Sequence, residues 1–159
     1  MTAGVKWGLV VGLVVGVLAG VLAYMSVMSV LDALVEYAYQ VMVKTGAPQA
    51  EARQAAELIR QIAPPSAFAV SIVGGVIIYL IMGLVMAAVW ERLRLPWYAK
   101  GALFGVVLTA LLSLPSLLSP PPPPDIPTPP AVYGYASTAL YFAGPILLAW
   151  LLNRAASRA

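Results

Sequence analysis

The chain has 159 residues, 62% of them hydrophobic and 9% charged, with a formal net charge of +3. A soluble domain carries about 25% charged residues, so this composition cannot cover a water-facing surface, and so small an excess of cations does not describe a nucleic-acid binder. With neither Cys nor His, the chain has no disulfide, no thiol nucleophile, no usual zinc or haem ligand and no imidazole base, and no cofactor is expected.

The first predicted element opens with Gly4, Gly8, Gly12, Gly16 and Gly20, set four residues apart among Val, Leu and Ala. A step of four stays close to one face of an α-helix, so these glycines form a bare groove where another backbone can approach. About 20 apolar residues cross a bilayer core, which places a first span over 7–28. The apolar run from Trp7 to Leu31 is too long for a signal-peptide core, so it reads as a retained span. The helical pattern continues to about residue 44, where Gly46 is a suitable terminator. A helix over residues 5–44 would be about 60 Å long, roughly twice the hydrocarbon thickness. Its second half therefore projects beyond the membrane with Asp32, Glu36, Leu34 and Met42.

Pro48 suits the first turn of a further, amphipathic helix over 48–63, whose apolar face is Ala52, Ala55, Ile59 and Ile62. Folded back as a hairpin about Gly46, it would bring Arg60 opposite Asp32 and Arg53 or Ala56 near Glu36, an outer ion-pair and contact patch. Pro64-Pro65 ends that helix in this reading. A second span follows over 66–93 and ends before Pro96.

The third span covers 97–118, with a second stripe at spacing four made of Gly101, Gly105, Thr109 and Ser113. Pro115 should bend or end its last turn. Residues 119–130 read S-P-P-P-P-P-D-I-P-T-P-P, which favours a stiff polyproline strut. The fourth span covers 131–152 and carries Gly144-Pro145 in its middle.

Cations fix the expected orientation. Lys6 precedes span one, Arg92, Arg94 and Lys100 lie between spans two and three, and Arg154 and Arg158 follow span four. The positive-inside rule then puts both termini in the cytoplasm. Trp7, Trp90, Trp97 and Trp150, the only tryptophans, would all anchor at that same interface, where an amphipathic ring is favoured. The sequence thus predicts an all-α integral membrane protein with four transmembrane helices, N-in/C-in. An outer helical hairpin joins helices one and two, and a polyproline loop joins helices three and four.

The predicted spans hold no acid or base in the hydrocarbon zone, which argues against ion-coupled transport. Tyr79, Thr138 and Tyr141, with the carbonyl freed near Pro145, are the candidate lining of a pore or cavity. The expected function is non-enzymatic: a subunit or scaffold in the cell membrane, packing through its small-residue stripes in a homo-oligomer or with other membrane subunits. A small channel or transporter for a neutral or weakly polar solute is the alternative. The lipid bilayer is an expected partner, and no nucleic acid is. The scarcity of Cys, His and Asn resembles that of hyperthermophile proteins.

Overall fold

The computed structural model describes residues 2–118 and 125–157. It contains α1 (Thr2–Met28), α2 (Leu31–Lys44), α3 (Gln49–Val89), α4 (Trp97–Leu118) and α5 (Ala131–Ala156). Four of them, α1, α3, α4 and α5, are long and apolar enough to cross a membrane. The prolines at 120–124 and Arg158 lie outside the described residues; 125–130 form an irregular connection.

The centre of the bundle is the antiparallel pair α1 and α3. All five glycines of α1 turn toward α3. A Cβ at Gly8 would meet the Tyr79 carbonyl oxygen at 2.5 Å, one at Gly12 the Gly75 oxygen at 2.9 Å, one at Gly16 the Ile72 oxygen at 2.9 Å and one at Gly20 the Phe68 oxygen at 3.0 Å. Gly4 lies against the Gly83 carbonyl in the same way. The absence of Cβ is therefore used from Gly4 to Gly20, where backbone rests on backbone. Val11, Val15 and Ala19 are buried beside the stripe, while Leu9, Leu13, Val14, Val17 and Leu18 point outward. An apolar outer face of this kind is stable only in an apolar solvent.

α5 packs against α1 and α3, and α4 packs chiefly against α5. The core is formed by Val11, Val15, Tyr79, Met86, Leu108, Leu148, Ala149 and Leu152. One end of the bundle gathers the start of α1, the end of α3, the start of α4 and the end of α5. Trp7, Trp90, Trp97 and Trp150 all lie there, and the first three pack against the core.

Two boundaries differ from those expected. Residues 5–44 are not one helix: the chain turns at Ser29 and Val30. There the Ser29 hydroxyl donates to the Ser26 carbonyl at 2.6 Å, and the Val30 N–H reaches Val27 O at 3.2 Å, three residues back. Serine competing for a backbone carbonyl in this way loosens a helix. Conversely, Pro64-Pro65 does not separate two helices, because α3 runs unbroken through both prolines. Proline removes the N–H that residue i−4 would use, here leaving the carbonyls of Arg60 and Gln61 without their helical donors. The φ locked by each ring still fits a helix, and the pair stands where the charged segment Glu51–Arg60 gives way to the apolar run. Likewise Pro115 does not end α4, which continues to Leu118, and Gly144-Pro145 does not break α5.

Between α2 and α3 the turn is made by Gly46, at φ +94°. Its N–H donates to Val43 O at 3.0 Å and the Ala47 N–H donates to Met42 O at 3.0 Å. This is a Schellman termination, whose left-handed residue favours glycine.

Candidate functional site

Residues on α3, α4 and α5 compose the polar interior. Tyr79 is wholly buried, between Gly75 and Gly83 on the face of α3 that meets α1. Its hydroxyl donates to the Tyr141 carbonyl at 3.1 Å. Tyr141 is the residue four before Pro145, so its carbonyl has no helical N–H to accept from. A helix defect in α5 is thus repaired by a side chain from α3. Gly144 makes the room: a Cβ there would collide with the Tyr79 hydroxyl. Tyr79, Gly144 and Pro145 form one packed unit, and no buried side-chain polar atom among the described residues lacks a partner.

The other hydroxyls converge elsewhere. Thr109, Ser113, Ser137, Thr138 and Tyr141, with Leu112, line a groove of about 250 Å³ between α4 and α5. Its origin is the change of residue type along the α4 stripe. At Gly101 and Gly105 the helices are close; a Cβ would meet Ile146 Cα at 2.7 Å and Phe142 O at 2.9 Å respectively. One turn further on, Thr109 and then Ser113 take the same face and the helices part. The Thr109 hydroxyl donates to Gly105 O at 2.8 Å, and the Thr138 hydroxyl to Gly134 O at 2.9 Å. Both satisfy themselves on their own helix, the usual habit of such groups in apolar surroundings. Of the four candidate lining residues, Thr138 and Tyr141 face this groove, whereas Tyr79 and Pro145 are sealed in the packing.

The outer patch is assembled in part. Arg60 donates to Asp32 at 2.8 Å and to Glu57 at 3.3 Å. Glu36 instead accepts from Gln40 on its own helix at 3.0 Å, and Arg53 is exposed. α3 meets α2 with Ala52 and Ala56 buried, while Leu58 is 51% and Ile62 56% exposed. Ile62, assigned by periodicity to the covered face, points outward because the helix is rotated to bury the two alanines. Leu34 and Met42 are half-buried. A second concavity, of about 420 Å³, is lined by Glu36, Tyr37, Gln40 and Lys44 of α2 with Asp125 and Pro127.

Three residues escaped the sequence reading. Lys100, counted among the loop cations, lies in the first turn of α4 and is only 7% exposed. Its ammonium donates to Trp90 O at 2.6 Å and sits 4.2 Å from the Trp90 ring centroid. Trp90 follows the last turn of α3, so the lysine satisfies a helix-terminal carbonyl, where a cation is favoured, and adds a cation–π contact. Gly75 and Gly83 are the counterpart of the α1 stripe; their spacing of eight, with Tyr79 midway, was the available signal.

The architecture thus defines an all-helical bundle with four helices able to span a membrane, which suggests a membrane protein. Among the described residues no three His, Cys, Asp or Glu side chains gather as a metal site. Compared with protein families, curated proteins and solved structures, the chain matches none.

Proposed function

We propose that this chain is a non-enzymatic subunit or scaffold of a membrane assembly, crossing the cell membrane four times with both termini cytoplasmic. The orientation is supported by Lys6, Arg92, Arg94 and Arg154 at the Trp-rich end, as the positive-inside rule requires.

One observation carries the functional reading. The stripes Gly4 to Gly20 and Gly101 to Gly105 are both filled by helices of the same chain, so they are not free to bind a partner. The apolar surface left without cover beyond the spans is instead on the outer hairpin, at Leu58 and Ile62 of α3. Apolar surface outside the bilayer marks a contact. The partner is a second copy of the chain or another membrane subunit docking on that hairpin.

The test is a photo-crosslinker at position 58 in native membranes, followed by purification in mild detergent. The expected outcome is a discrete crosslinked species that Ile62→Asp abolishes while the monomer fold is kept. A monomer that shows no crosslink sinks the scaffold reading. The hydroxyl groove between α4 and α5 favours a second reading, a path for a neutral polar solute. Glycerol or urea flux into proteoliposomes, lost in Thr109→Val/Thr138→Val, would support it.

A further inference from the structure

A further concavity lies at the Trp-rich end, far from both the hydroxyl groove and the outer hairpin. It has a volume of about 550 Å³ and is lined by Thr2, Ala3, Lys6 and Trp7 of α1 and by Leu151, Arg154 and Ala155 of α5. Two features make it selective. Its walls are alkyl and aromatic, from Ala3, Trp7, Leu151 and Ala155. Its rim carries one cation from each of two antiparallel helices, and no carboxylate is in the lining. Among the described residues the ion pairs all use Arg60, at the opposite end, so neither rim cation is paired with a described carboxylate. Both lie near tryptophan: the Lys6 ammonium 5.3 Å from the Trp7 ring centroid, the Arg154 guanidinium 5.4 Å from that of Trp150.

A soluble anion would be recognised by polar walls as well as by charge. An apolar cleft with a cationic rim matches an amphiphile whose head is anionic and whose tail is hydrocarbon, and basic pockets between spanning helices at the cytoplasmic side bind such headgroups. Tryptophan belts mark the depth at which phosphates lie. We infer that the cleft between the start of α1 and the end of α5 binds an anionic membrane phospholipid, its phosphate between Lys6 and Arg154 and an acyl chain along Trp7 and Leu151. This rests on the reading of α1 and α5 as membrane spans. Bound there, the lipid would tie together two helices from opposite ends of the sequence.

The experiment uses the full chain in mild detergent, titrated with phosphatidylglycerol or phosphatidylcholine and read by native mass spectrometry. Phosphatidylglycerol should be retained in preference. Each cation near a membrane surface contributes about fivefold in affinity, so Lys6→Gln/Arg154→Gln should weaken phosphatidylglycerol roughly 25-fold. Ala155→Trp, which fills the cleft and keeps both charges, should lose the lipid as well. Arg92→Gln/Arg94→Gln, which removes two cations at the same end but outside the cleft, should leave it nearly unchanged. An equal loss in that control pair, or undiminished binding in Ala155→Trp, overturns the site in favour of diffuse surface charge. Competition by glycerol 1-phosphate as effective as that by the lipid overturns it in favour of a soluble anion. Alkaline extraction of native membranes separates the two levels of the argument. Release of the wild-type chain overturns the membrane reading and the lipid site together; retention without phosphatidylglycerol preference overturns the lipid site alone.

Discussion

The pair α1–α3 and the pair α4–α5 start from the same device and end differently. Each places small residues at spacing four against a neighbouring helix. In α1 all five positions of the device are glycine, and the two backbones touch from Gly4 to Gly20. In α4 it changes to Thr109 and Ser113 after two glycines, and the helices open into a hydroxyl-lined groove. Glycine commits a helix pair to contact; a small hydroxyl side chain holds the backbones further apart, and that of Thr109 bonds to its own helix. The first pair is therefore the fixed frame of the molecule, and α4, which packs chiefly on α5, is its most easily displaced spanning helix.

The largest effect should come from breaking that frame. In Gly12→Leu, even the first added carbon falls 2.9 Å from both Gly75 O and Val76 Cα, which are backbone atoms that cannot rotate away. Overpacking costs about 1–3 kcal/mol even in cores able to adjust, so a loss at or above about 3 kcal/mol is expected, seen as collapse of the thermal transition in detergent. Gly105→Leu meets the Phe142 ring as well as its carbonyl. A ring can turn, and α4 can shift outward, so its cost should stay nearer 1–2 kcal/mol, with protease sensitivity rising in α4 before α1. Equal destabilisation by the two substitutions would remove the distinction between frame and satellite.

Tyr79 joins the frame to α5, and its effect should be intermediate. Tyr79→Phe strands the Tyr141 carbonyl and should cost about 1 kcal/mol, the usual size of one such hydrogen bond. The diagnostic measurement is a double-mutant cycle. Pro145→Ala restores an N–H in α5 that can serve Tyr141, so Tyr79→Phe should cost less in that background. An unchanged cost in the cycle would show that Tyr79 acts by packing alone.

How much of this was legible follows from what each signal reports. Hydropathy and length gave all four helices that are long and apolar enough to span a membrane, because burying an apolar run in lipid needs no partner. The α1 stripe was legible as a contact face, since periodicity is local; that its partner is α3 was not, because Gly75-Tyr79-Gly83 has a weaker period. Pro64-Pro65 and Ser29-Val30 misled in opposite directions. Proline, whose locked φ fits a helix, left α3 intact, whereas serine hydroxyls, which favour neither outcome strongly, accompanied a real turn. Within the site, Thr138 and Tyr141 were legible as groove-facing because they share a face. The pairing of Tyr79 with the carbonyl freed by Pro145 joins residues 62 positions apart, and no local pattern encodes it. Lys100 read as a loop cation because nothing in its neighbourhood announces that the Trp90 carbonyl awaits it.

The outer hairpin extends the frame beyond its glycines, and it should tolerate more. Gly46→Ala forces a side chain into the left-handed region at φ +94°. The expected cost is about 1 kcal/mol, confined to faster hydrogen exchange in α2 and the first turns of α3. Protection lost evenly through α1 would contradict a separable hairpin.

The smallest effect is expected at Arg60, although its ion pair with Asp32, at 2.8 Å, is shorter than the one it makes with Glu57. Asp32 is 88% exposed and Arg60 42%, so water already solvates both charges and salt screens them. Exposed pairs contribute about 0.2–1 kcal/mol, and Arg60 divides its guanidinium between Asp32 and Glu57. Arg60→Ala should therefore lower stability by no more than about 0.5 kcal/mol, and the difference from wild type should vanish at 1 M salt. The helices there are held by Ala52 and Ala56, which no salt concentration reaches. A salt-insensitive loss above about 2 kcal/mol would mean that the charges, not the alanines, hold α2 to α3, and that the frame ends where its glycines do.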